Sequence, residues 1–348
     1  MKTIRNREVI LHDSFIEILN VDDFNLDHIF DCGQAFRWER NIPSVCHSRR
    51  ITSYTGVACG RVATMEFEED TKTLRIYQGE SVGKAGGRST PDKTAGEAGT
   101  IEHDFESIWY DYLDLGRDYG KIKRKLSGRK AKAGTAGKPK TGATGAGTYD
   151  PVMAEAIKCG SGIRILRQEL WETLVSFIIS QNNNIPRIKK CINGLAELLG
   201  EPAGQALVSR QNPDGTVTAE TKAFYNLPEP EVLAKATVDD LAPVRLGYRA
   251  KYLIEAAQQY CDMTETPQTA EDLLEFQGVG PKVANCIALF GLGLTDSFPI
   301  DVWMKRVMNE LYGIDENDAK AMQQYAADHF GAYGGIAQQY LFYYITHR

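Results

Sequence analysis

The sequence predicts an α+β protein in which an antiparallel β-sheet domain is followed by an all-α domain. Apolar and polar residues alternate with period two in the first third of the chain, whereas apolar residues recur at helical spacing from about residue 161. A low-complexity stretch, 128–149, separates the two patterns. A chain of 348 residues has room for about two domains, so we assign residues 1–127 to the first and 150–348 to the second.

The β pattern is clearest where two alternating segments flank a polar turn. Residues 62–67 (Val-Ala-Thr-Met-Glu-Phe) and 74–77 (Leu-Arg-Ile-Tyr) alternate in this way, which is typical of a β-hairpin. Residues 83–100 have the composition of a loop. Residues 103–126 predict a helix, because their apolar side chains form one stripe that contains Phe105, Ile108, Trp109 and Tyr112.

The stretch 128–149 consists almost entirely of Gly, Ala, Lys and Thr. Such a composition buries too little apolar surface to offset the entropy of ordering the chain, so we expect a disordered insertion. Residues 119–149 include basic residues and no acidic ones, so the rest of the chain is more acidic than the net charge of −6. Overall charge therefore decides nothing about nucleic-acid binding, and any such site has to be local.

Several classes of protein are disfavoured by what the sequence does not contain. No apolar run approaches the ~18 residues of a membrane span, and the N-terminus lacks the apolar stretch of a signal peptide, so we expect a cytoplasmic protein without a membrane partner. The seven cysteines are scattered and none follows Cys286. This spacing favours reduced thiols over a disulfide framework, a zinc site or an iron–sulfur loop.

The second half reads as a series of helices. Leu170, Leu174, Phe177 and Ile178 recur at helical spacing, and Pro186 stands where a helix begins after a polar interruption. Further helical patterns follow at 249–261, 270–276, 281–292, 302–312 and 334–346.

One turn between two of these helical patterns carries candidate chemistry. Gly278-Val279-Gly280 lies inside a hairpin at about 270–292, and Pro281 begins the second helix. The glycines allow backbone N–H groups at a helix N-terminus to approach an anion such as a DNA phosphate. Backbone donors bind phosphate without reading base sequence. A plain turn between two helices is the structural alternative.

Lys282 lies in the first turn of that second helix, where the helix dipole disfavours a cation. This placement, with partial burial, predicts a lowered amine pKa and a neutral nucleophile that can attack a sugar carbon and form a Schiff base. A surface lysine on a phosphate is the alternative. Cys286, four residues later, lies on the same helical face as Lys282, although the default interpretation is a cysteine in the core. Asp301 has the position of an N-cap, and near Lys282 it could stabilise a cationic sugar.

Gly278-Val279-Gly280-Pro281-Lys282 followed by Pro299-Ile300-Asp301 resembles the helix-hairpin-helix DNA glycosylases with the Gly/Pro-Asp loop. Within that superfamily the chain is similar to the 8-oxoguanine DNA glycosylase/AP lyases of the bacterial and archaeal-like branch. The resemblance runs from the motif at 32–38 to the one at 336–342. It implies an N-terminal sheet of the TATA-binding-protein type, a helical glycosylase domain, and neither a redox cofactor nor a catalytic metal. The hairpin carbonyls of the family can hold a structural cation.

The resemblance also implies roles at the damaged base. Lys282 would displace the base at C1′ and form the Schiff base, and Asp301 would stabilise the oxocarbenium charge. Cys286 and Phe342 would sandwich the flipped base. Gln338 would pair with its Watson–Crick edge. The backbone carbonyl of Gly33 would accept the hydrogen that 8-oxoguanine, unlike guanine, carries on N7.

A second group of implied roles concerns the DNA around the extruded base. Asn182 would fill the gap, Tyr248 would act as a wedge, and Arg187 and Arg249 would contact the orphaned cytosine. Gly278, Val279 and Gly280 would bind the backbone. Eukaryotic members of the family have a histidine at the position of Trp303, so the role of this tryptophan stays open.

We therefore predict a base-excision repair enzyme that acts as a monomer on double-stranded DNA containing 8-oxoguanine opposite cytosine, and that is nucleoid-associated if bacterial. One alternative is a glycosylase of the same superfamily for another damaged base. The cysteine pattern disfavours its cluster-containing branches, and Lys282 disfavours the alkylated-base branch. The other alternative is a non-catalytic DNA-binding module, which gives no reason for Lys282, Cys286, Asp301, Gln338 and Phe342 to occur together.

Overall fold

A computed structural model describes residues 1–42, 50–80, 99–128, 149–212 and 214–348. The predicted insertion at 128–149 and the predicted loop at 83–100 lie outside the described residues except at their ends. Within the described ranges, no helix has both the length and the apolar character that a membrane span requires.

The first part of the chain builds one antiparallel sheet. Its strands are β1 (Lys2–Ile4), β2 (Arg7–Leu11), β3 (Phe15–Ile18), β4 (Trp38–Asn41), β5 (Ile51–Ala58), β6 (Arg61–Glu68) and β7 (Thr73–Gln78). They are arranged in the order β1-β2-β3-β7-β6-β5-β4. The predicted hairpin is the β6–β7 pair, in which Met65 lies opposite Ile76, and both side chains are fully buried. The predicted antiparallel sheet is confirmed.

The helices that cover this sheet are shorter than the sequence pattern predicted. They are α1 (Leu26–Phe30), α2 (Ile101–Asp104), α3 (Tyr110–Tyr112) and α4 (Tyr119–Ser127), with a π-helical turn at Phe105–Trp109. The predicted helix over 103–126 is interrupted after Tyr112, because Asp114 adopts a left-handed conformation with φ 48°. Its carboxylate accepts a hydrogen bond from the Tyr119 hydroxyl at 2.9 Å and pairs with Arg117, and these bonds stabilise the break.

The second part of the chain is helical, as predicted. Its helices are α5 (Pro151–Cys159), α6 (Leu170–Ser180), α7 (Ile185–Leu199), α8 (Pro230–Ala234), α9 (Arg249–Asp262), α10 (Pro281–Phe290), α11 (Val302–Tyr312), α12 (Ala319–His329) and α13 (Gly334–Thr346). The pattern at 270–276 forms only a short 3-10 turn, Asp272–Glu275, and α12 was not predicted. The α+β class is confirmed.

The helical domain departs from the all-α prediction at one point, because it contains a β-hairpin. Strands β8 (Pro202–Gln211) and β9 (Val217–Tyr225) pair with each other, and Gly215 in their turn has φ 84°. The hairpin lies on the first sheet: Gln205 exchanges backbone hydrogen bonds with Glu80, and the Asn41 amide bonds to the carbonyl of Leu207. Much of the hairpin is exposed, so its strands have little apolar alternation for a sequence pattern to detect.

The two parts of the chain are joined by a buried polar seam centred on Gln34, which is fully buried. Its Nε2 atom donates to the carbonyls of Ile29 and Arg164, both at 2.8 Å, and its Oε1 atom accepts from the backbone N–H of Leu166 at 2.9 Å. The backbone carbonyl of Gln34 in turn accepts from Gln168. One side chain thus satisfies backbone groups on both sides of the seam.

We expect Gln34→Ala to lower the free energy of unfolding by about 3–5 kcal/mol, because it leaves a cavity and unpaired buried backbone groups. Urea unfolding followed by circular dichroism measures this difference. The control is Gln324→Ala, since Gln324 is an exposed glutamine that bonds only to Asp328 among the described residues. Equal losses for the two variants would contradict a special role for Gln34.

Candidate active site and nucleic-acid interface

The hairpin before α10 has the backbone geometry that its glycines allow. Gly278 has φ 78°, and a Cβ atom added there would lie 2.7 Å from the ring of Tyr252. Gly280 is the N-cap of α10 and has open space around it. Val279, between them, is buried and anchors the turn. The N-terminus of α10 therefore stands open to an anion, while the rest of the turn is fixed by packing.

Lys282 and Asp301 lie at the starts of α10 and α11, close enough for their charges to interact. Lys282 is half-buried in the first turn of α10, with Nζ 5.4 Å from the centroid of the Phe177 ring. Asp301 is the N-cap of α11, and its Oδ1 atom accepts from the backbone N–H of Met304 at 2.7 Å. Burial raises the pKa of Asp301, although the Met304 N–H and the charge of Lys282 oppose the rise.

Cys286 completes this group, one turn after Lys282 on α10. The thiol is buried, and burial raises its pKa, although the nearby ammonium group of Lys282 counteracts the rise. The thiol is thus held as a neutral, polarizable contact surface. The group offers one amine, one carboxylate and one apolar sulfur, which is a set suited to nucleophilic attack with electrostatic stabilisation of positive charge.

The residues predicted to recognise the base lie on two elements that contact each other. Gly33 has φ 78°, and a Cβ atom added there would lie 3.5 Å from the ring of Phe342 on α13. Gln338 lies one turn earlier on α13 and is 3% exposed. Phe342 packs against the same apolar core that contains Cys286. A backbone carbonyl, a ring and an amide thus border the same region of the domain seam.

The loop between α6 and α7 holds the residue predicted to fill the gap in DNA. Asn182 is exposed and left-handed, with φ 47°, and its Nδ2 atom donates to the Tyr248 hydroxyl at 3.3 Å. Tyr248 is 49% exposed, and its ring packs edge-on against Tyr252, so it projects from the surface. The structure brings these two predicted DNA contacts together.

The two predicted arginines differ in their surroundings. Arg187 is exposed near the start of α7, where it donates to the carbonyl of Arg245 at 3.4 Å. Arg249 is 5% exposed, and its guanidinium donates to the carbonyls of Gln181, Asn182 and Leu246. Arg187 is free to reach a base, whereas the guanidinium of Arg249 is engaged in holding the loop.

Two glutamines with structural connections to the site were missed at the sequence level. Gln181 donates from Nε2 to the carbonyl of Gly278 at 2.9 Å, and its own carbonyl accepts from Arg249, so it joins the hairpin to the loop. Gln339 donates to Gln338. Gln339 lies inside the motif at 336–342, but no role was assigned to either glutamine, because only contacts between distant elements or buried side chains identify one.

Two further features limit what the site can hold. Among the described residues, no three His, Cys, Asp or Glu side chains are grouped as a metal site. The hairpin offers backbone carbonyls as cation ligands, but that of Gly278 already accepts from Gln181. Trp303 is 38% exposed beside Asp301, with the Arg306 guanidinium 5.0 Å from its ring centroid, so it presents an aromatic surface in place of an imidazole.

Family models match both parts of the chain. Residues 18–174 match the model described as 8-oxoguanine DNA glycosylase, N-terminal domain, and residues 175–330 match the HhH-GPD superfamily base excision DNA repair protein. An N-glycosylase/DNA lyase from Saccharomyces cerevisiae is 36% identical over 45% of this chain and 43% of its own length. The chain spans between 43% and 66% of the length of the curated relatives it matches first.

Solved structures match over almost the whole chain. The structure of MBOgg1 in complex with a low-affinity DNA ligand is 37% identical, covers 98% of both chains and has a TM-score of 0.74. The Clostridium acetobutylicum 8-oxoguanine glycosylase/lyase, solved with double-stranded DNA containing cytosine opposite 8-oxoguanine, is 31% identical with the same coverage and TM-score. The chain therefore belongs to the 8-oxoguanine DNA glycosylase family of the HhH-GPD base-excision repair superfamily.

Proposed function

We propose that the chain is a bifunctional enzyme that removes 8-oxoguanine opposite cytosine from double-stranded DNA and then cleaves the strand as an AP lyase. The observation that carries the proposal is that the half-buried carboxylate of Asp301 lies within electrostatic reach of Lys282, in the first turn of α10. The names and ligands of the related proteins support the same substrate.

The first step is extrusion of the damaged base from the duplex, which leaves a gap in the stack. The exposed side chains of Asn182 and Tyr248 project together near the hairpin and are suited to fill and wedge that gap. Of the hairpin residues Gly278, Val279 and Gly280, the two glycines would hold a phosphate of the same strand through backbone N–H groups, because the N–H of Val279 already donates to the carbonyl of Phe276 at 3.0 Å. Arg187 would contact the orphaned cytosine, and Arg249 would do so once its guanidinium turns from the loop carbonyls.

Recognition then depends on the groups along the domain seam. The carbonyl of Gly33 would accept the hydrogen on N7 of 8-oxoguanine, and guanine would place a lone pair against the same oxygen. Phe342 and Cys286 would cover the two faces of the base. The carboxamide of Gln338 would pair with its Watson–Crick edge.

The chemistry follows from the amine and the carboxylate. The amine Nζ of Lys282 attacks C1′, the C1′–N9 bond breaks, and its electron pair leaves with the base, which takes up the proton that Nζ loses. The carboxylate of Asp301 stabilises the positive charge that develops on the sugar. The sugar ring then opens to an imine between C1′ and Nζ, a proton leaves C2′, and β-elimination expels the 3′ phosphate.

Lys282→Gln is expected to abolish both base excision and the covalent protein–DNA product formed when borohydride reduces the imine. The assay mixes full-length protein with a duplex containing 8-oxoguanine opposite cytosine and resolves the product by denaturing electrophoresis. The matched control is Lys158→Gln, an exposed lysine on α5, which should trap as the wild type does.

Two results would contradict the mechanism. A trapped band of full intensity with Lys282→Gln would remove Lys282 as the nucleophile. Tight binding of the same duplex by wild-type protein without any trapped product or excision would favour the non-catalytic DNA-binding module. Trapping on another lesion alone would change the substrate and keep the mechanism.

As the pH is lowered, the rate of base excision is expected to decrease with a midpoint above about 3.9, the ordinary pKa of an Asp side chain. Burial raises the pKa of Asp301, so its carboxylate is neutralised at a higher pH as the pH falls, and the stabilisation of the sugar cation is lost with it. Single-turnover excision measured across pH checks this, with circular dichroism to show that the protein stays folded.

Asp301→Asn provides the control for this pH dependence. The excision rate of the variant should be about 100-fold lower, in the range found for removal of one electrostatic stabiliser. Its residual activity should not show the decrease at low pH that Asp301 causes in the wild type. If the decrease in rate at low pH stays unchanged in Asp301→Asn, another ionisable group causes it.

A further inference from the structure

We propose that Gln339 is a positioning residue that fixes the carboxamide of Gln338 in one of its two orientations, and thereby selects guanine-type over adenine-type oxidised bases. The inference rests on the proposed function and concerns the same pocket. Gln338 and Gln339 are adjacent on α13 and are 3% and 4% exposed. The Nε2 atom of Gln339 donates to the Oε1 atom of Gln338 at 2.7 Å.

This hydrogen bond removes an ambiguity that a glutamine otherwise has. A carboxamide has one acceptor and one donor end of nearly the same shape, so rotation by about 180° exchanges them at little steric cost. A neighbour that donates to the oxygen stabilises only the orientation in which the oxygen faces that neighbour. Gln339 therefore holds the oxygen of Gln338 on its own side and directs the Nε2 donors away from it.

The orientation matters because the two purine types present opposite patterns on the Watson–Crick edge. A guanine-type base has an acceptor at position 6 and a donor at N1, whereas an adenine-type base has a donor at position 6 and an acceptor at N1. One fixed amide orientation can match only one of these patterns. The other base would leave buried polar groups unpaired, which is a strong basis for rejection.

The surroundings of Gln339 indicate that packing alone does not explain a glutamine there. Its neighbours on α13, Ile336, Ala337, Tyr340 and Leu341, are fully buried and belong to the core. The Oε1 atom of Gln339 is also buried and has no hydrogen-bond partner within the described chain. An unpaired buried acceptor lowers stability, so an apolar side chain of similar size would be the better choice for the fold.

The test compares wild type with Gln339→Met, which keeps the size of the side chain and removes its donor. Full-length proteins act in single turnover on duplexes with 8-oxoguanine, 8-oxoadenine or a preformed abasic site, each opposite cytosine. We expect excision of 8-oxoguanine to fall roughly tenfold and the preference over 8-oxoadenine to fall by at least as much. Strand cleavage at the abasic site, which has no base to orient, should stay unchanged, and the melting temperature should not fall.

The control is Gln324→Met on the exposed face of α12, which should match wild type on all three duplexes. Unchanged excision and unchanged preference in Gln339→Met would overturn the proposal, as would a parallel loss of cleavage at the abasic site. Failure of wild type to excise 8-oxoguanine would instead overturn the proposed function and this inference with it. A second variant, Gln339→Glu, offers only acceptors when its carboxyl is ionised; assayed across pH, it is expected in its ionised form to turn the Gln338 amide and shift preference toward 8-oxoadenine.

Discussion

The position of the proposed base pocket depends on the buried carboxamide of Gln34. The residue before it, Gly33, carries the carbonyl that we propose distinguishes the lesion, and a carbonyl can do so only if it is held in place. Gln34 bonds to Ile29 on one side of the seam and to Arg164 and Leu166 on the other. One side chain thus holds the backbone next to Gly33 in place, and the ring of Phe342 lies 3.5 Å from where a Cβ atom on Gly33 would be.

A second link of the same kind joins the hairpin to the loop that would enter DNA. Gln181 donates to the carbonyl of Gly278, and Arg249 donates to the carbonyls of Gln181 and Asn182. The backbone of the left-handed Asn182 is therefore held by Arg249, which lowers the ordering entropy that DNA binding would cost. Gln181 would therefore fix the position of a phosphate bound at Gly280 relative to the base gap that Asn182 would fill.

The sequence was most informative where function depends on local signals. Glycine spacing, Pro281 and the N-cap Asp301 predicted the hairpin and the starts of α10 and α11, because each is a statement about neighbouring residues. It was least informative for side chains whose partners are remote. The buried state of Arg249 and the strands β8 and β9 follow from tertiary contacts. The β8–β9 hairpin has little apolar alternation because the first sheet covers only part of it.

The buried amides of this protein have two different energetic roles. Gln34 has both ends of its carboxamide paired, so it stabilises the fold as well as placing Gly33. Gln339 has one end paired to Gln338 and the other unpaired, so it holds an orientation at the expense of stability. A buried carboxamide whose donor and acceptor ends are both paired stabilises the contact between the two parts of the chain. A half-satisfied one fits the positioning role that we propose for Gln339, because discrimination would come from the bonds that the wrong base leaves unmade at Gln338.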